Sequence, residues 1–226
     1  MVGRAAIGSP AIRSWYFPGM EPAAEKLVTE DEYVAMSTAT DERLEYLGGQ
    51  VFATGRGTPR HNLISANVIA ALATRLRGGP CRALSSDQQV YIAATGLYTY
   101  ADVTVLCGAA ELHPRLADTI VNPAVLVEVL SPSTEAYDRG EKFEHYKRIA
   151  TLHEYVLIAQ DERHIDKLVR GAVEGSWVLT SYGAGESSDA LPLPSLGCEV
   201  PLAEIYDGVE QFPVEARAKR IRRQRE

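Results

Sequence analysis

The stretch AVLVEVL, residues 124–130, places a single acidic side chain, Glu128, within an otherwise apolar run. Because alternate residues of a strand share a face, Leu126 and Leu130 lie on the same side as Glu128. The opposite side is formed by three valines, Val125, Val127 and Val129. Two apolar faces are typical of a strand in the interior of a sheet. An ionised carboxylate at that depth is costly unless a cation or hydrogen-bond donors meet it, so Glu128 requires a partner.

A second acidic residue, Asp102, stands near the start of the preceding strand candidate, YADVTVLCG, residues 100–108. Two carboxylates on neighbouring strands repel each other when both are ionised. A divalent cation removes that repulsion, and ligands that are all oxygen atoms favour Mg²⁺ or Mn²⁺. Asp102 and Glu128 are therefore candidate metal ligands.

A helix predicted from about Arg139 to Ala150 follows the strand of Glu128. Asp138 is its candidate N-cap, because Glu141 stands three residues later and can complete a capping box. The helix would therefore begin one short connection after the buried glutamate.

Lys142 lies in the first turn of this predicted helix, and helical spacing puts it on the same inward face as Tyr146 and Ile149. It is a candidate partner for Glu128. Two carboxylates, a metal ion and a lysine suit phosphodiester hydrolysis, in which the lysine positions the attacking water or offsets charge in the transition state. The spacing is equally compatible with a structural ion pair between Glu128 and Lys142, with Asp102 only a strand-end acid.

The remaining patterns predict one mixed α/β domain in which helices flank a central sheet. The predicted elements are a helix in VTEDEYVAM capped by Thr29 with Glu32, a hairpin in RLEYLGGQVFAT, a long helix in TPRHNLISANVIAALATRLRG begun by Thr58 and Pro59, and strands in DQQVYIA, EYVLIAQ, HIDKLVRG and SWVLTSYG. The segment ESSDALPLPSLGCEVPLAEIY is predicted as loop that ends in a helical turn. We expect residues 1–24 to be a disordered extension, 25–210 the domain and 211–226 a basic tail.

The net charge of −7 is spread unevenly over the 226 residues. The last ten residues, RAKRIRRQRE, carry +5, so the rest of the chain carries −12. An acidic domain does not have the profile of a protein that grips nucleic acid by bulk charge. The basic terminus could bind phosphate, although a solvated, frayed helix end is the commoner explanation.

Three cysteines, Cys81, Cys107 and Cys198, lie far apart and form no CxxC pair. Their spacing fits a reduced, cytoplasmic protein and argues against a disulfide framework or a thiolate zinc site. No apolar run approaches the ~18 residues of a membrane span. The first residues also lack the apolar core of a secretion signal. We therefore expect a cytoplasmic protein without a membrane partner.

The blocks YADVTVLCG and NPAVLVEVLSPSTEAYDRGEKFEHYKRIATLHEYVLI resemble the "Uma-two" family, a group of restriction-endonuclease-like proteins in the PD-(D/E)XK nuclease superfamily. The resemblance covers roughly residues 27–208. It implies an α/β (α+β) fold with a central mixed β-sheet flanked by helices, dependence on Mg²⁺, and DNA as the substrate.

On this resemblance, the family's acidic pair falls on Asp102 and Glu128. The usual superfamily lysine, two residues after the glutamate, is replaced by Leu130, and the family pattern carries the lysine on the following helix at Lys142. Glu45 matches the family's N-terminal acidic position and is a candidate third metal ligand.

Three further residues are candidate accessory groups: His61, Tyr146 and Asp87. His61 opens the long helix and could approach the scissile phosphate, although a histidine satisfied by local hydrogen bonds is commoner. Tyr146 shares the inward face with Lys142. Asp87 could support the metal site as an outer acid, and turn chemistry before a strand explains it equally well.

We therefore expect a metal-dependent endonuclease that cuts DNA. The alternative is a non-catalytic binding or assembly protein that kept the nuclease fold, which the acidic charge and the lack of a distinct DNA-reading module favour. A homodimer is expected, because two sites related by a two-fold axis most simply cut both strands of a duplex. Leu191, Leu193 and Leu196, in the segment 183–200, would then offer the apolar contact surface.

Overall fold

The computed structural model describes residues 27–53, 55, 57–183 and 188–214. The predicted N-terminal extension, and all of the predicted basic tail beyond residue 214, lie outside these ranges. None of the helices in these ranges has the length and apolar character of a membrane span.

The helices of the described chain are α1 (Glu30–Ser37), α2 (Pro59–Arg75), α3 (Glu135–Arg139), α4 (Glu141–Tyr146) and α5 (Leu202–Ile205). The strands are β1 (Leu44–Leu47), β2 (Gln50–Ala53), β3 (Cys81–Leu84), β4 (Gln89–Ile92), β5 (Leu97–Tyr100), β6 (Val103–Cys107), β7 (Thr119–Ile120), β8 (Val125–Leu130), β9 (Glu154–Ala159), β10 (His164–Arg170), β11 (Trp177–Gly183), β12 (Ala190–Leu193) and β13 (Cys198–Pro201). Short 3₁₀ turns cover Pro194–Leu196 and Val209–Gln211.

The strand of Glu128, β8, lies inside a six-stranded sheet with the order β11-β10-β9-β8-β6-β3. It pairs in parallel with β9 and antiparallel with β6. The predicted fold class, a mixed sheet with flanking helices, is therefore confirmed. The predicted strands in RLEYLGGQVFAT and DQQVYIA are β1, β2 and β4. Their place in a second sheet, with the order β2-β1-β5-β4-β7, was not predicted, because local patterns do not show which strands pair. The hairpin β12–β13 stands apart from both sheets.

Both faces of β8 are buried, as its two apolar faces predicted. On the valine face, the α2 residues Ile64, Val68 and Leu72 share one core with the valines of β8. On the other face, Leu126 and Leu130 share a second core with aromatic residues of α4 and β9. Helix α2 and the pair α3–α4 therefore cover opposite sides of the central sheet.

Two predicted helix starts are confirmed. Thr29 and Glu32 form a capping box at α1. At α2, the Thr58 hydroxyl accepts a hydrogen bond from the backbone N–H of His61, and Pro59 occupies the first turn. The cap fixes where the first turn of α2 lies, and His61 belongs to that turn.

The region after β8 differs from the single helix predicted from about Arg139 to Ala150. Gly140, with φ −113° and ψ −95°, separates α3 from α4, a backbone conformation that glycine adopts readily. Asp138 lies inside α3 and is buried, so its predicted role as an N-cap is wrong. The predicted inward face is correct, since Lys142 and Tyr146 are buried together with Ile149.

The segment predicted as loop contains β12 and β13. Leu191 and Leu193 are buried in the core beneath this hairpin, and Leu196 packs partly buried against it. The prediction that these leucines form a contact surface for a second copy is therefore wrong. Pro192 concealed the strand from sequence reasoning, because proline in a strand is confined to edges and bulges.

A disulfide joins Cys81 on β3 to Cys107 on β6, contrary to the expectation drawn from cysteine spacing. The two residues stand directly opposite each other on paired antiparallel strands. Their separation of 26 residues gave no sign of this pairing, because β3 was not predicted as a strand. Cys198 is the remaining free cysteine.

We expect the double variant Cys81→Ser/Cys107→Ser to lose about 3 kcal/mol of unfolding free energy, because the bond closes a 26-residue loop of the unfolded chain. Urea unfolding without reductant measures the loss. Cys198→Ser is the control and should cost less than about 1 kcal/mol. Three titratable thiols in freshly purified, unreduced protein would contradict the pairing.

Candidate active site

The site lies where the chain passes from the second sheet into the central sheet. Strand β5 ends at Tyr100, and β6 begins at Val103, so Asp102 stands at the crossing. The Asp102 Oδ2 accepts a hydrogen bond of 2.7 Å from the backbone N–H of Val129 and lies 3.0 Å from the His61 Nε2. Asp102 is therefore tied both to β8, one residue after Glu128, and to the first turn of α2.

Glu128 faces Lys142. The Lys142 Nζ lies 2.8 Å from the Glu128 Oε1, and the Tyr146 hydroxyl donates a second hydrogen bond of 2.9 Å to the same oxygen. Lys142 also donates to the backbone carbonyl of Tyr100 at 3.0 Å. Glu128 and Lys142 are only 4 % and 5 % exposed. The acid that β8 buries is thus met by a lysine from α4, as the sequence predicted.

Asp138 is a further carboxylate at this site. The sequence analysis predicted it as a helix N-cap and not as a site residue. Its Oδ1 lies 3.7 Å from the Lys142 Nζ, and the residue is 4 % exposed. The signal that could have revealed it is the spacing of four residues between Asp138 and Lys142, which puts both on one side of a helix. The spacing of Asp138 and Glu141 indicated an N-cap instead.

Glu45 enters the site from β1 of the second sheet and is buried. Its Oε1 accepts hydrogen bonds from the Thr99 hydroxyl at 2.7 Å and from the Tyr100 backbone N–H at 3.1 Å. Its negative charge also acts on Lys142. The site therefore collects one acid from the second sheet, one from the crossing, one from β8 and one from α3.

The pKa values in the site follow from burial among charges. Burial raises the pKa of Glu128 well above its ordinary value, with the charge of Lys142 opposing the rise. Burial likewise raises the pKa of Asp138, again opposed by Lys142. For Lys142, burial would lower the pKa, but the charge of Glu128 and further acids outweighs it and raises the pKa well above the ordinary value. Lys142 is therefore held as an ammonium ion.

His61 is held in place by its neighbours on both sides. Burial would lower its pKa, but the hydrogen bond to Asp102 and that carboxylate's charge outweigh burial, and the net pKa is raised. A Cβ at Gly57 would lie 2.6 Å from the His61 Nδ1 and 2.5 Å from the Asn62 Oδ1. The loop before α2 therefore needs glycine at position 57 to pack against the imidazole.

Two further positions from the sequence analysis are Asp87, a candidate accessory acid, and Leu130, at the usual lysine position. Asp87 lies in a turn before β4, is 82 % exposed at its side chain and lies 3.5 Å from Arg43, so its surroundings are those of a surface turn, and its accessory role stays a prediction. Leu130, at the usual lysine position of the superfamily motif, is buried in the second core.

The donor set is made of oxygen atoms and fits a hard divalent cation such as Mg²⁺ or Mn²⁺. Four carboxylates stand near one ammonium and one imidazole, and a bound cation would offset the charge of those that are ionised. The carboxylates are those of Glu45, Asp102, Glu128 and Asp138. In the described part of the chain, however, no three His, Cys, Asp or Glu side chains already stand in an arrangement that could hold a metal ion. Metal binding would therefore require side chains to move.

Known proteins match this chain over most of its length. A family model described as "Uma2: Putative restriction endonuclease" matches residues 30–203. The uncharacterized Synechocystis protein slr1290 is 35 % identical over 193 residues, which cover 85 % of this chain and 94 % of the relative. A second uncharacterized Synechocystis protein, sll1609, is 26 % identical over 170 residues, which cover 75 % and 95 %.

The fold is also similar to that of a solved structure. It is described as a "putative nuclease belonging to DUF820" from Anabaena variabilis ATCC 29413. The TM-score is 0.62, and the match covers 78 % of this chain and 98 % of the other. At 15 % sequence identity, this likeness concerns the fold alone.

We expect Lys142→Met to lower the unfolding free energy by about 3 kcal/mol, because it leaves Glu128 and Asp138 buried without their cation. Lys147→Met is the matched control on the same stretch of chain, since Lys147 pairs at 2.6 Å with Glu144 near the surface. That pair should contribute less than about 1 kcal/mol. Urea unfolding at neutral pH compares the two, and equal losses would contradict the dependence of Glu128 on Lys142.

Proposed function

Because the chain belongs to the Uma2 family, whose members are described as putative restriction endonucleases, we propose that it is a metal-dependent endonuclease that hydrolyses DNA phosphodiester bonds. The observation that carries the proposal is the buried Glu128–Lys142 pair beside Asp102, within an excess of carboxylates. An acid excess of this kind is costly for stability, and proteins commonly retain such costs at functional sites.

Asp102 and Glu128 would hold the ion, with Glu45 as a further candidate ligand. When bound, Mg²⁺ or Mn²⁺ supplies Lewis acidity toward a phosphate oxygen and lowers the pKa of a bound water. The choice of Mg²⁺ or Mn²⁺ rests on the oxygen-only donor set.

The chain's own groups would orient these ligands. The hydrogen bonds from the Val129 N–H and His61 occupy one oxygen of Asp102, which directs the carboxylate and leaves its other oxygen for a ligand role. The Tyr146 hydroxyl orients Glu128 in the same way. These donors come from elements packed on the core and would limit how far the two acids must move to bind the ion.

Lys142 would offset the negative charge that develops on the phosphoryl oxygens, or position the attacking water. It takes the place of a strand lysine at position 130, where Leu130 carries no charge. Its four-carbon stem starts on α4, so the ammonium reaches the carboxylates from the helix side of the sheet. The charges of the neighbouring acids keep this ammonium charged despite its burial.

The competing proposal is a binding or assembly protein that kept the fold without catalysis. It is favoured by the hydrogen bonds of Lys142, which go to Glu128 and to the Tyr100 carbonyl and so leave the ammonium satisfied within the protein.

Glu128→Gln is nearly isosteric, and we expect it to abolish Mn²⁺-dependent cleavage of plasmid DNA, because a neutral amide is a poor ligand for a hard cation. Agarose gels of supercoiled plasmid measure the loss, and circular dichroism checks the fold. Glu144→Gln, which removes an exposed acid from α4, should cut normally. Full activity in Glu128→Gln would sink the catalytic proposal, and an inactive wild type would favour the binding protein.

We further propose that the protein acts as a homodimer, because two sites related by a two-fold axis would cut the two strands of a duplex. This proposal no longer draws support from the buried leucines of β12. Light scattering of the purified chain should give twice the mass of one chain at micromolar concentration. A monomeric mass at that concentration and above counts against it.

A further inference from the structure

Asp138 is a buried carboxylate to which the proposed mechanism gives no task. Its side chain is 5 % exposed, takes a hydrogen bond from Thr134 and lies 3.7 Å from the Lys142 Nζ. That distance is within reach of an ion pair but longer than a charge-assisted hydrogen bond. Asp138 is therefore close to Lys142 without being its first partner.

In the proposed function, the Glu128 carboxylate pairs with Lys142 and also binds a divalent cation. Its Oε1 already accepts hydrogen bonds from Lys142 and Tyr146. A divalent cation on this carboxylate would stand near the Lys142 ammonium, and two positive charges at short distance repel each other. Lys142 is too deeply buried to turn to water, so it needs another anion when Glu128 is occupied.

We propose that Asp138 is a positioning residue that takes over the Lys142 ammonium when a divalent cation binds Glu128. A movement of about 1 Å brings the Nζ from 3.7 Å to hydrogen-bond distance of the Asp138 Oδ1. The hydrogen bond of Lys142 to the Tyr100 carbonyl holds the ammonium near the carboxylates during this shift. The inference rests on the proposed function, since it assumes that Glu128 binds a cation.

The position of Asp138 on the chain favours such an exchange. Asp138 and Lys142 are four residues apart on either side of Gly140, so they remain neighbours although α3 and α4 are separate helices. Arg139, next to Asp138, pairs with Asp166 of β10 at 2.6 Å and fixes α3 against the central sheet. Asp138 is thus held in place, and the side chain of Lys142 is the part that moves.

A double-mutant cycle on Mn²⁺ affinity tests the proposal. Metal-free wild type, Asp138→Asn, Lys142→Met and the double variant are each titrated with Mn²⁺ by calorimetry. Asp138→Asn should weaken Mn²⁺ binding about tenfold more in the wild-type background than in the Lys142→Met background. The reason is that Lys142, without Asp138 as a partner, competes with Mn²⁺ for Glu128. A direct ligand role for Asp138 predicts equal weakening in both backgrounds, and a merely structural role predicts a lower melting temperature with unchanged affinity. Either outcome overturns the proposal.

The control is Glu144→Gln, which removes a carboxylate from the exposed pair with Lys147 and should change Mn²⁺ affinity less than about twofold. Circular dichroism checks each fold, and Lys142→Gln replaces Lys142→Met if the latter does not fold. Wild type that fails to bind Mn²⁺ overturns this inference together with the metal-dependent function. Wild type that binds Mn²⁺ and cuts DNA, with equal weakening in both backgrounds, overturns this inference alone.

Discussion

The buried ion pair between Glu128 and Lys142 is the interaction on which the rest of the arrangement depends. Strand β8 is buried on both faces, so the carboxylate cannot reach water, and α4 must bring an ammonium to it. This requirement fixes the side of the sheet on which α3 and α4 pack and the turn of α4 that faces inward. A pair of apolar residues would stabilise such a core as well or better, which makes the charges a feature that folding alone does not explain.

Much of this centre is predictable from the sequence, because strand alternation and helical spacing are local. The two faces of β8, the inward position of Lys142 and the caps of α1 and α2 each depend on residues within a few positions of one another. The pairing of His61 with Asp102 was harder, since it joins the start of α2 to the crossing between sheets. Only the general position of His61 at a helix start could be read from the chain.

What sequence reasoning missed is non-local or masked by a stronger local signal. The assembly of the second sheet and the disulfide both depend on strand pairings between residues distant in sequence, the latter on the pairing of β3 with β6. The spacing of Asp138 and Glu141 predicts a helix cap at Asp138, although Gly140 interrupts the helix between them. The leucines of β12 were predicted as exposed because Pro192 made the strand hard to recognise. Their burial depends on residues distant in sequence that pack against them.

The crossing at Asp102 has a consequence for how the protein is made. The acids and the lysine stand at positions 45, 102, 128, 138 and 142, and they converge only when the second sheet, the central sheet and the α3–α4 pair have all docked. Contacts between residues so distant in sequence form late and slowly in folding. A chain still emerging from the ribosome therefore contains residues of the site that have not yet come together. Any activity that depends on the site begins only when the whole domain has folded.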